Sequence, residues 1–272
     1  SSDPAYALNG VYVMGGAFGS SPLYVGLLTQ FITPVEPDPG PGPGANNGCY
    51  DLSLLETQGT KAQVNYRHTG ATTGTSSTES TVGGLVTYMG NQAREIEYKV
   101  TTALITGGVA SNAELTGKHY ERRTGDAEVT QYGSVMAGTF AFQGATGTTT
   151  TQIVFDPPWV EKSAGLALGG TYTHTESGTS TVTTTFPGLP SIPGTVSQFS
   201  DTHTVRFAAR EQVTVPAGTY STCRFEHLEG STVSSTEWVI DGKGIPVKVV
   251  DGPTGQITTQ EATEVKINGS RI

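Results

Sequence analysis

The chain has 272 residues, with 15 Lys+Arg against 24 Asp+Glu, a formal net charge of −9 and only 14% charged residues. Its 43 Thr, 21 Ser and 36 Gly leave too few strong helix formers for a helical bundle, while 35% hydrophobic residues argue against a wholly disordered chain. No Lys/Arg cluster is available to neutralise phosphates, so nucleic acid is excluded as the expected partner.

Residues 1–35 open on two apolar runs, Tyr6–Met14 and Leu23–Ile32, separated by Gly19-Ser20-Ser21-Pro22. Each is rich in β-branched and aromatic residues and has the length of a strand. Left in water, Tyr6, Leu8, Val11, Val13, Leu23, Val25, Leu27, Phe31 and Ile32 would be an aggregation hazard, which makes them the expected subunit interface. Residues 36–47 form a Pro/Gly linker that can be neither helix nor central strand. It allows the apolar segment to pair with a neighbouring copy; an edge hairpin on its own sheet is the alternative.

From residue 48 onward polar and apolar residues alternate with period two. The clearest runs are Ala62–His68, Arg94–Val100, Tyr172–Glu176, His203–Phe207, Cys223–Leu228 and Thr263–Ile267. Such alternation predicts antiparallel strands with one face buried and one wet. Turn chemistry falls between them at Met89-Gly90-Asn91, Thr124-Gly125-Asp126, Pro216-Ala217-Gly218, Asp241–Gly244 and Asp251-Gly252-Pro253. Helix is expected only in short pieces near Leu52–Thr57 and Trp159–Ala164. A weak internal repetition sets Met89–Tyr98 against Phe207–Glu226, and Tyr120–Val129 against Glu237–Val247. The expected fold is therefore all-β, with Thr-rich antiparallel sheets in two half-barrel or sandwich-like modules, 48–155 and 156–272, and an N-terminal strand extension. The two modules can share one continuous sheet.

Cys49 and Cys223 allow one disulfide in an oxidising compartment, the alternative being two buried thiols. No run of about 18 apolar residues exists to span a bilayer as a helix. An opening without Met, scarce Lys and abundant Thr/Ser fit an exported, mature form.

The stretch Gln212–Glu226, with Val215-Pro216-Ala217-Gly218-Thr219-Tyr220 inside it, precedes Thr236–Lys248, which holds Trp238, Gly242 and Gly244. Together they resemble bacterial envelope proteins in which a V-P-A-G-T-F/Y hairpin precedes a W-Y/V-x-x-G-x-G-L/I-V-K strand pair. That group is similar to half-barrel lipoprotein-carrier folds. The resemblance implies a structural role for these residues: Pro216 and Gly218 set a turn, Gly242 and Gly244 a bend, and Trp238 caps a core. It also implies an envelope or extracellular address.

Catalytic signatures are absent: no Gly-x-Ser-x-Gly, His-Glu-x-x-His or phosphate loop occurs. His68, His119, His174, His203 and His227 lie at no metal-ligand spacing. His174 and Glu176 share a strand face on which His203 and Asp201 can lie opposite; the expectation is polar positions on a solvated face. No catalytic residue, metal or cofactor is expected. Two functions follow. The first is a secreted or surface structural protein that polymerises by donating its N-terminal strand. The second is a periplasmic half-barrel holding a lipid or other apolar ligand, with Leu85, Val86, Tyr88, Ile96 and Tyr98 on its concave face.

Overall fold

The computed structural model describes residues 46–188, 194–252 and 255–272. Chain order begins with a one-turn helix α1 (Ser53–Glu56), then β1 (Lys61–Gly70), β2 (Thr72–Tyr88), β3 (Asn91–Thr106), β4 (Val109–Gly125), β5 (Glu128–Phe142) and β6 (Ala145–Glu161). A 3-10 turn (Ser163–Gly165) leads to β7 (Thr171–Thr185), β8 (Thr195–Val215), β9 (Gly218–Glu229), β10 (Thr232–Ile240), β11 (Pro246–Asp251), β12 (Thr258–Ile267) and the two-residue β13 (Ser270–Arg271). The one-turn helix falls within the expected Leu52–Thr57, whereas of Trp159–Ala164 the first three residues belong to β6 and only Ser163 and Ala164 enter the 3-10 turn. Every turn read from the sequence lies between two strands.

All the strands pair antiparallel in chain order, and β1 also pairs with β12, from Ala62↔Ile267 to Gly70↔Thr258. The first twelve strands therefore close into one up-and-down barrel. This corrects the expectation of two half-barrel or sandwich-like modules: one hydrogen-bonded sheet runs through both halves, and the 155/156 boundary falls inside β6. Closure removes most of the free edge that a half-barrel would have to cover. The N-terminal residues expected at a subunit interface, Tyr6, Leu8, Val11, Val13, Leu23, Val25, Leu27, Phe31 and Ile32, lie outside the described residues.

The outward face is polar. Lys61 and Arg67 on β1, Glu97 and Lys99 on β3, and Glu114 on β4 are exposed, and every outward position of β7 from Thr171 to Thr185 carries a hydroxyl. The inward residues pack into two clusters. One joins Leu52 to Val64, Ile96, Val100, Leu115, Met136, Ile245, Val247 and Val265. The other gathers Tyr50, Leu166, Phe207, Phe225 and Val239 around the Cys49–Cys223 disulfide.

Segment 46–56 lies across the end of the barrel where the chain enters. Asn47 Nδ2 donates to the carbonyls of Ser163 (2.7 Å) and Leu166 (3.1 Å), and the Gly244 amide donates to the Cys49 carbonyl at 3.0 Å. Curvature depends on a few inward glycines. At Gly117 a Cβ would stand 2.5 Å from Tyr98 Cζ and 2.4 Å from the Val135 carbonyl, because the Tyr98 ring lies across this backbone. An aromatic covering a glycine on the facing strand is a familiar way to bend a sheet without leaving a hole.

Candidate functional site

All five histidines belong to the inward set. His68 and His119 are almost fully buried, and His174, His203 and His227 are largely so. Glu121, Glu176 and Glu237 are buried beside them. This corrects the reading of His174 and Glu176 as positions on a solvated face. Asp201, the direct partner of Glu176 on β8, is the member of that group that is exposed.

The polar groups form local pairs. His119 Nε2 bonds to Gln131 Oε1, and Gln131 Nε2 donates to Glu121 Oε2 at 3.2 Å. His68 Nε2 meets Ser76 Oγ at 2.7 Å. His174 Nε2 lies 3.1 Å from Glu176 Oε1, and His227 Nε2 lies 3.5 Å from Glu237 Oε1. Burial pushes His68 down to about 4 and also lowers His203. At His227 burial acts the same way, but the Glu237 carboxylate outweighs it and the net shift is upward. Burial first, then Glu237 and Glu161, raise the Tyr50 hydroxyl well above its ordinary value.

His174 sits at a seam in the wall. The β6–β7 ladder runs from Thr148↔Thr185 to Phe155↔Gly178 and then stops. Pro157 and Pro158 follow directly, and proline has no N–H to give a neighbouring strand. Below that point side chains close the wall: Ser177 Oγ donates to the Asp156 carbonyl (3.0 Å), Tyr172 O–H donates to Glu161 Oε1 (2.6 Å), and Trp159 stacks on His174 at 4.5 Å.

A second discontinuity lies between β8 and β9. Their pairing starts at Thr204↔Leu228, because β9 ends at Glu229 and turns through Gly230 into β10. Residues Thr195–His203 of β8 therefore pair with β7 alone. Val196 is 65% exposed and most of this stretch is open to solvent.

Among the residues singled out from the sequence, Cys49 and Cys223 are bonded, and the bridge joins the entering segment to β9. Pro216 and Gly218 flank the β8–β9 turn, and Gly242 and Gly244 lie in the β10–β11 turn with positive φ of 70° and 67°. Trp238 stands apart from both apolar clusters on a half-buried outer position: its Nε1–H donates to Glu211 Oε1 at 2.6 Å and the Lys248 ammonium lies 5.5 Å from its ring. Ile96 and Tyr98 face inward, whereas Leu85 is 54% exposed and Tyr88 stacks on Tyr120 at 3.9 Å. The two wall discontinuities, the β6–β7 seam and the open β8 edge, were missed by sequence reasoning; the Pro157-Pro158 pair was the one local sign of the seam.

No family model, curated protein or solved structure matches the chain.

Proposed function

We propose that this chain is an exported, non-enzymatic structural β-protein that assembles by strand addition, one copy supplying residues 6–32 to the open β8 edge of the next. The observation that carries the reading is the edge itself. Thr195–His203 is a full strand length whose outer main-chain groups meet no β9 partner. An unpaired row of N–H and C=O groups is a template for another strand, and natural proteins blunt such edges with charge or proline. Here the exposed stretch Thr195–Thr202 carries a single charge, Asp201, and no proline. The apolar runs Tyr6–Met14 and Leu23–Ile32 have the composition such an edge accepts, and a Pro/Gly linker separates them from the barrel. The Cys49–Cys223 disulfide fits an oxidising, extracytoplasmic compartment. The carrier reading draws less support, since the inward apolar side chains pack on one another in two clusters.

Sedimentation of the full-length protein beside a variant lacking residues 1–45 tests the proposal. Full-length protein is expected to form large assemblies, and the truncated barrel to run as a monomer with unchanged β signal. Equal behaviour of the two, whether both monomeric or both assembled, would refute it.

A further inference from the structure

His174 and His203 are direct cross-strand partners on β7 and β8, and their inward rings meet with centroids 5.6 Å apart. The His174 ring is held in place by aromatic contact, Trp159 stacking at 4.5 Å and 14° and Tyr172 at 5.1 Å and 18°. Its Nε2 lies 3.1 Å from Glu176 Oε1. In the tautomer that lets His174 Nε2–H donate to the Glu176 oxygen, the lone pair lies on Nδ1. That Nδ1 is buried and has no hydrogen-bond partner among the described residues, and the same is true of Nε2 on His203. Buried polar atoms are almost always partnered, and each exception asks for a ligand or a role.

We propose that His174 Nδ1 and His203 Nε2 bind a divalent transition-metal ion, with Glu176 as the carboxylate that orients His174 from behind and water completing the coordination. Imidazole nitrogen suits Zn²⁺, Cu²⁺ and Ni²⁺. A ligating histidine that gives its other N–H to a carboxylate is the usual outer-shell arrangement of such sites, and it fixes both tautomer and ring orientation. The remaining histidines are arranged differently. His119 Nδ1 and His227 Nε2 are likewise buried without a hydrogen-bond partner among the described residues, but none of His68, His119 and His227 has a second imidazole as its cross-strand partner. The proposal does not depend on strand addition and stands if that reading fails.

The test is Cu²⁺ titration of the full-length protein followed by electron paramagnetic resonance, with Zn²⁺ affinity measured by chelator competition. One tight ion per chain with nitrogen couplings from two imidazoles is expected. Glu176→Gln keeps the shape of the orienting side chain and should weaken Zn²⁺ about 10–100-fold. His203→Ala should weaken it at least as much and remove one imidazole coupling, while His68→Ala should leave the affinity unchanged. Melting curves establish that each variant is folded; if His203→Ala does not fold, the wild-type spectrum and Glu176→Gln decide. A wild-type spectrum without two imidazoles, or Zn²⁺ affinity indifferent to Glu176→Gln, overturns the proposal.

Discussion

His68 shows how a single buried side chain sets a pH dependence. Burial holds its folded-state value near 4, against an ordinary value near 6.5, so the native imidazole is neutral. Between those values the unfolded chain binds a proton that the native state does not. Its contribution is therefore fully present above about pH 6.5 and is lost as pH falls towards 4, an effect on the order of 3 kcal/mol. His203, lowered by burial, acts in the same direction; His227, raised by Glu237, acts in the opposite one. Urea unfolding at neutral pH and near pH 4.5 separates them: wild type should lose more stability on acidification than His68→Gln, and equal losses would remove His68 as the cause. Gly117 makes a steric prediction. Gly117→Ala drives a methyl group into Tyr98 and the Val135 carbonyl and should cost about 1–3 kcal/mol, whereas Gly84→Ala, whose nearest neighbour is Gln58 Nε2 at 4.0 Å, should stay within about ±0.5 kcal/mol. Thermal or urea unfolding of the two variants reads the contrast.

At the scale of elements, the Cys49–Cys223 bridge ties the entering segment to β9 across 174 residues. In the chain-entropy model a loop of that length removes denatured-state freedom equivalent to about 5 kcal/mol. Reduction, or the Cys49→Ala/Cys223→Ala double variant, should lower urea-unfolding stability by a few kcal/mol and expose the otherwise buried Tyr50 hydroxyl to titration. Unchanged stability on reduction would mean that the contacts of Asn47 and Leu52 hold the segment unaided. Strand existence and turn positions were legible because period-two alternation and Gly, Pro, Asn and Asp punctuation are local signals. Which face points inward was legible on β1, where Ala62, Val64 and Tyr66 are buried, but not where both faces of a strand are polar. On β7 the inward series runs Tyr172, His174, Glu176 and the outward series Thr171, Thr173, Thr175, so both faces are polar and alternation alone does not select one.

Closure of the whole molecule was illegible for a different reason. It depends on Ala62↔Ile267 and its neighbours, a pairing of the first and twelfth strands that leaves no local trace in either. A half-barrel and a closed barrel have the same alternation and the same turns; only the β1–β12 ladder separates them. The proposed assembly follows from the place where closure is incomplete. If β8 is the acceptor, its main-chain amides should change environment when copies meet. Amide hydrogen exchange, followed in the full-length protein over a range of concentrations, is the most direct measurement. The account predicts that the amides of Thr195–His203 that face away from β7 exchange fast at low concentration, become protected as assemblies form, and stay fast at every concentration in the variant lacking residues 1–45. Protection of those outward-facing amides that is independent of concentration, or their fast exchange in fully assembled material, would contradict it.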